Sequence, residues 1–253
     1  MFQLSVAGRI ATLVLDRAPV NAMNDAWVAG FHALLDRLDA RADWSVLHIR
    51  SAHKVFSAGA DLAQMRDRFT AEGLEPQLAS IRDYQLLFAR IEALPAVTLA
   101  EIGGAALGGG FELTLACDLR IAAQEARLGL PEVRLGLLPG AGGTQRLTRL
   151  CGRPTALRLI LGAETPDGAA AERLGLVQWS APAAELAARA AEIAARYAAL
   201  PAHAAHAAKA CIALAGDPAA DGFAAEIDHT RNLLQSAPTR VLVGAFFARS
   251  LRQ

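Results

Sequence analysis

Two carboxylates stand where they could do proton chemistry. One closes the glycine-rich turn Leu107-Gly108-Gly109-Gly110-Phe111-Glu112, and the other follows twenty residues on, in Leu130-Pro131-Glu132. Glycines let a backbone pass close to a ligand with its N–H groups free. A helix starting just after such a turn aims those N–H groups at negative charge as it develops. Two carboxylates on separate elements then act as acid and base around one substrate. Together these parts imply a site that stabilises an enolate.

Each part also has a plainer reading. Most glutamates are solvated surface groups. Glu112, however, lies inside the apolar stretch Phe111, Leu113, Leu115, Ala116, and Glu132 lies between Pro131 and Val133. A carboxylate in apolar company is destabilised as an anion and becomes a usable proton donor or acceptor near neutrality. The glycine run suits close backbone packing as well as a phosphate cradle. A Walker loop needs Lys-Ser/Thr after its last glycine, yet Phe111-Glu112 follows here, and neither this run nor Gly140-Ala141-Gly142-Gly143 makes GxGxxG. An acid beside the glycines repels bound phosphate and favours an anion formed transiently, such as a thioester enolate. The segment Phe56-Ser57-Ala58-Gly59-Ala60-Asp61 offers small side chains and a free N–H near Ala60; it reads equally as a strand-to-helix turn with Asp61 as the cap.

Other chemistries lack their residues. No serine sits in GxSxG and there is no HExxH. His203 and His206 are three apart in an alanine-rich helix without a third ligand, so they read as surface histidines and no metal site is expected. Cys117, Cys151 and Cys211 are odd in number and widely spaced, which argues against a disulfide framework or thiolate zinc site and for a reducing cytoplasm. With 25 basic and 25 acidic residues the net charge is +0, so no nucleic-acid partner is expected. The N-terminus lacks a secretory pattern, and the apolar run Ile102–Phe111 is too short and glycine-rich to span a membrane. At 253 residues, 53% of them hydrophobic, the chain can bury a large core.

The elements that must position these groups follow from periodicity. Residues 2–7 and 9–15 alternate around Gly8 as a hairpin. Asn24 caps a helix to Ala40, with Trp27, Phe31, Leu34, Leu35 and Leu38 at helical spacing. Strands are predicted at 46–49, 97–102 and 119–122, and helices at 77–94 and 112–117. From Pro182 the pattern is all helix, over 182–199, 202–215, 219–235 and 239–250. The chain thus divides into an α/β portion, residues 1–181, and a helical portion, residues 182–253.

The combination resembles the enoyl-CoA hydratase/isomerase (crotonase) superfamily. The resemblance rests on Asn21-Ala22-Met23-Asn24, Lys54 to Leu62, Ala105 to Leu113, Ala116-Cys117-Asp118, Leu128 to Glu132 and Leu138-Pro139-Gly140-Ala141-Gly142-Gly143-Thr144-Gln145-Arg146-Leu147. It continues more weakly through Ala169 to Val177 and the helical tail.

What the resemblance implies is a β-β-α spiral core with a helical C-terminal region for trimerisation, as a homotrimer or dimer of trimers. The Ala60 and Gly109 N–H groups would form an oxyanion hole for an acyl-CoA thioester. Gly108, Asp61 and the loop around Ala58 and Leu62 would contact CoA, whose adenine that loop receives; Lys54 is a phosphate contact or an exposed lysine. Glu112 would hold and deprotonate water and Glu132 would protonate the α-carbon, making a 2-enoyl-CoA hydratase with no cofactor beyond the CoA of its substrate. A double-bond isomerase, another crotonase activity and a silent acyl-CoA binder are the alternatives. Leu62, Met65, Leu86 and Leu87 either line an acyl pocket or pack in the core. Two departures from the family pattern stand out: Ile102-Gly103-Gly104 replaces Val-Asn-Gly, and Ala245-Phe246-Phe247-Ala248-Arg249 lacks the usual Glu.

Overall fold

Phe2–Ala7 (β1) and Ile10–Leu15 (β2) pair antiparallel, and β1 alternates between half-buried and exposed residues, as an edge strand does. A computed structural model describes residues 1–215 and 217–250. Asp25–Asp39 (α1) follows, capped by the Asn24 side chain accepting from Trp27 N at 2.9 Å. Its apolar stripe buries Trp27, Phe31 and Leu35 against the sheet.

Next come Val46–Ser51 (β3), Leu62–Asp67 (α2), Leu74–Glu92 (α3), Val97–Ile102 (β4), Ala106–Leu107 (β5), Gly109–Leu115 (α4), Leu119–Ala123 (β6) and Leu128–Gly129 (β7). A 3-10 turn, Glu132–Leu135, leads to Gly143–Leu161 (α5), which kinks at Gly152, then to Gly168–Arg173 (α6) and Trp179–Ala181 (β8). Ala183–Ala198 (α7), Ala202–Ala213 (α8), Gly222–Gln235 (α9) and Ala237–Ser250 (α10) complete the described chain.

The main sheet runs β1-β2-β3-β4-β6-β8, parallel beyond the first pair. Its inner strands are nearly continuous apolar runs, as parallel strands covered on both faces must be; Val46, Leu47, His48 and Ile49 are all buried. β5 and β7 form a separate two-stranded parallel sheet. Isolated bridges Ser57↔Ala106 and Met23↔Ala60 extend that small sheet sideways. This second layer carries the site.

The sequence-based elements recur with shifted ends. The helix expected at 112–117 begins at Gly109, so the glycine run is itself the first turn. The glycines there answer a close approach: a Cβ on Gly110 would stand 2.3 Å from the Ser57 carbonyl oxygen. α3 starts at Leu74 rather than residue 77, while α5, α6 and β8 went unread. The compositional shift at Pro182 and the division into compact units fall at different places. α7 packs on β2, β3, β4, β6 and β8, so the first compact unit is Met1–Ala198 and the second begins at Ala199. Among the described residues no helix is long and apolar enough to cross a membrane.

Candidate active site

The small sheet sets the site by register. Ser57 and Ala106 are bridged in parallel, so the residues three further along each strand, Ala60 and Gly109, come side by side at the carboxyl ends. Crevices at such strand ends are where open α/β sheets bind ligands. On the outer side Met23 N donates to the Gly59 carbonyl at 2.8 Å, and Asp61 N donates to the Met23 carbonyl at 2.7 Å. Alternation along the strand therefore turns the N–H of Ala60 away from Met23. Gly109 is the first residue of α4, where an N–H has no partner in its own helix. Neither N–H donates to a protein acceptor among the described residues.

Glycines bring the two turns together. Gly59, at φ 90°, lies so near the second turn that a Cβ there would stand 2.8 Å from the Leu107 oxygen and 3.0 Å from Gly109 N. Behind it Asn21, fully buried at φ 49°, donates to Phe56 O at 2.9 Å and Ser51 Oγ at 2.8 Å and accepts from Arg17 N at 2.8 Å. Ser57 Oγ donates to Asn21 O at 2.8 Å and accepts from Gly59 N at 3.1 Å. Of this network the sequence showed the Asn21 motif and the Phe56–Gly59 segment, but neither Arg17 nor Ser51 nor the bonds that join them.

Ala60, Gly109, Glu112 and Glu132 line one cavity of about 560 Å³, within the range of small-molecule sites. Glu112 is 3% exposed, and its Oε1 accepts the Gly143 N–H at 2.7 Å. Burial raises its pKa to about 7; the Gly143 N–H works against that rise and the Glu132 charge adds to it. Glu132 follows β7 on the 3-10 turn, and burial pushes its carboxyl upward too. Its Oε2 is buried without a hydrogen-bond partner. Gly108, at φ 53°, leaves room for it: Glu132 Oε1 lies 3.1 Å from where a Cβ on residue 108 would stand.

The remaining candidates lie outside the cavity lining. Lys54, Ala58 and Leu62 are exposed. Asp61 caps α2, accepting from Ala63 N at 3.0 Å, and pairs with Arg17 at 2.8 Å; that pairing holds its carboxyl below the usual range. Of the four apolar residues weighed for the pocket, Met65 lines it and Leu87 is in the core, while Leu62 and Leu86 are exposed and do neither. Phe69, Leu74, Gln77, Ile81, Tyr84, Leu137 and Leu138 complete much of the wall. Helical spacing places Leu74, Gln77, Ile81 and Tyr84 on one stripe of α3, but sequence alone does not say which stripe faces the cavity. His203 bonds Thr239 Oγ1 at 3.0 Å, and among the described residues no cluster of three His, Cys, Asp or Glu is placed to hold a metal.

The chain matches the family described as enoyl-CoA hydratase/isomerase over residues 6–248. It is 38% identical over 205 residues to a probable enoyl-CoA hydratase of Mycobacterium bovis, covering 81% of this chain and 77% of that protein. It is 41% identical over 175 residues to a probable enoyl-CoA hydratase of Bacillus subtilis, covering 69% and 66%. The solved enoyl-CoA hydratase of Bacillus anthracis superposes with a TM-score of 0.90 at 31% identity, over 98% of this chain and 96% of that one. This chain belongs to the enoyl-CoA hydratase/isomerase family, and its mixed α/β architecture is the crotonase fold.

Proposed function

We propose that the protein hydrates a trans-2-enoyl-CoA to the 3-hydroxyacyl-CoA. The observation that carries this reading is two carboxylates of raised pKa, Glu112 buried and Glu132 half-buried, sharing one cavity with two free backbone N–H groups. The thioester oxygen accepts from Ala60 and Gly109, which draws charge off the β-carbon. One such donor is worth about 3–4 kcal/mol in the transition state.

Two neighbouring carboxylates resist ionising together. The pair shares one proton, and the tautomer that reacts has Glu112 ionised against the Gly143 N–H and the proton on Glu132, whose Oε2 has no hydrogen-bond partner. Glu112 takes a proton from water as its oxygen bonds the β-carbon, and Glu132 gives its proton to the α-carbon of the enolate. Transfer of a proton from Glu112 back to Glu132, directly or through solvent, restores the pair. Both acids work from one side, so water adds syn. An isomerase needs one acid to move a proton between the α- and γ-carbons; two acids in one cavity favour hydration.

Assembly into trimers is part of the same reading. It is supported by exposed apolar side chains in the second unit, among them Phe223, Ile227, Leu234 and Val241. Sedimentation equilibrium tests it, and a monomer at micromolar concentration refutes it.

The activity test follows the conjugated-thioester absorbance of trans-2-enoyl-CoAs. Its loss on adding enzyme, with a 3-hydroxyacyl-CoA product, supports hydration. Migration of label between the α- and γ-carbons of a 3-enoyl-CoA, without hydration, replaces it with isomerisation.

A further inference from the structure

The turn that serves Glu112 is clamped from behind. Gly140, Ala141 and Gly142 lead into α5, whose first residue, Gly143, donates to Glu112. The Gly140 carbonyl accepts from Gln85 Nε2 of α3 at 2.7 Å, and the Ala141 carbonyl accepts from Arg146 Nη1 at 2.8 Å. Side chains on a helix lean toward its N-terminus, so Arg146, one turn into α5, folds back across Gly142. A Cβ on Gly142 would collide with Arg146 Nη1, whereas a Cβ on Gly143 would meet Glu112. The cation and the acid thus flank consecutive residues of one turn.

The Arg146 side chain is only 10% exposed, and its guanidinium lies over the Phe88 ring, 5.9 Å from the centroid. Its carboxylate partner, Glu92 at the end of α3, stands at 2.6 Å but is 41% exposed. Water therefore screens the anion of that pair more than the cation, and a net positive field reaches Glu112 through the turn. Two charged side chains act on Glu112: Glu132, which opposes its ionisation, and Arg146, which favours it. The Ala141 N–H favours its anion too. Glu132 answers chiefly to burial. The other arginines of α5, Arg149, Arg153 and Arg158, are exposed, and β5 carries no charge.

We propose that Arg146 is a positioning residue of this site: from behind the turn it holds the Ala141 and Gly143 N–H groups on Glu112 and makes Glu112, rather than Glu132, the acid that ionises. Two carboxylates sharing one proton would otherwise divide it by burial alone. Arg146 selects the tautomer in which the anion faces α5, and that anion is the one that draws a proton from water. Its effect on rate rests on the hydration reading; its effect on ionisation does not.

The test is carboxyl-carbon NMR of labelled glutamate, with Glu112→Gln to assign the signal, in wild type, Arg146→Gln, Arg146→Lys and Glu92→Gln. Arg146→Gln keeps a donor for the Ala141 carbonyl and loses the charge, so the Glu112 midpoint should rise by about 0.5–1 pH unit. Arg146→Lys keeps the charge and should stay near wild type. Glu92→Gln frees the cation of its partner and should move the midpoint downward. A midpoint unmoved in Arg146→Gln overturns the proposal, as does a rise in both Arg146→Gln and Glu92→Gln, which is what a merely loosened turn would give. Should Arg146→Gln fold poorly, the downward sign expected of Glu92→Gln, on a half-exposed residue, decides alone. In steady-state kinetics the acid limb of kcat should move with the NMR midpoint, lowering kcat below that limb about 3- to 10-fold with KM little changed. If wild type hydrates no enoyl-CoA while the midpoints move as stated, the hydration reading falls and the role of Arg146 stands. If wild type hydrates and the midpoints stay put, only the role of Arg146 falls.

Discussion

Gly143 donates its N–H to Glu112 Oε1 at 2.7 Å, and a Cβ on Gly143 would stand 2.9 Å from that same oxygen. The first residue of α5 therefore serves as the close partner of an acid on α4. This contact joins the two glycine-rich segments that the sequence shows far apart.

Burial of the same carboxyl, against the pull of that contact, fixes the sign of a pH effect on stability. The Glu112 carboxyl is raised from 4.5 to about 7 on folding, chiefly by burial. Between those values the folded state keeps a proton that the unfolded chain has released, so stability is full below about pH 4.5 and falls as pH rises through about 7. The whole effect is of order 3 kcal/mol. Urea midpoints from pH 4.5 to 8 should fall for wild type, and Glu112→Gln should remove most of that slope. A slope unaltered by the substitution would place the titration elsewhere.

Glu132→Gln keeps the shape of the side chain and removes the proton that the proposed hydration draws from it. Hydration should drop by about 10²–10⁴-fold, the usual worth of a general acid, while circular dichroism and the melting temperature stay close to wild type. A variant retaining more than a tenth of the activity contradicts the assignment.

Tyr84→Phe removes one of two hydrogen bonds to the Met23 carbonyl; the other comes from Asp61 N. Met23 backs the strand that presents the Ala60 N–H, so the loss should show as a several-fold lower kcat with KM little changed, alongside about 1 kcal/mol of stability. Steady-state kinetics decide it: a change in KM alone would mean that Tyr84 only shapes the pocket.

Gly110→Ala tests the close approach of the two turns. The new methyl would press on the Ser57 backbone at 2.3 Å, costing about 1–3 kcal/mol or more through overpacking. That outweighs the roughly 1 kcal/mol by which alanine favours a helix. Gly222→Ala, where nothing lies within 4 Å of the added carbon, supplies the contrast and should not destabilise. Equal denaturation midpoints for the two variants would remove close packing as the reason for Gly110.

Much of this site could be read in the sequence because local chemistry fixes it. Glu112 and Glu132 stand out by their apolar neighbours, and Gly109 and Ala60 by the small residues around them. The meeting of these groups was not legible, since it depends on the Ser57↔Ala106 register between short segments. Leu62 and Leu86 were weighed as pocket or core and proved to be neither, because hydrophobicity says that a side chain gains from burial and not that it finds a partner. α5 is hidden in the sequence for a different reason. Its glycine-rich start looks like loop, and Gly152 and Pro154 interrupt its pattern.

The paired turns have a consequence for how the protein can change. Both free N–H groups at the cavity belong to the main chain, so substitution at residue 60 by anything but proline alters their surroundings without deleting a donor. The wall on α3 is made of side chains and can be rewritten one residue at a time. Under the proposed hydration, reaction and selectivity would be inherited through separate parts of the molecule: the first carried by strand pairing, the second by a replaceable face of one helix.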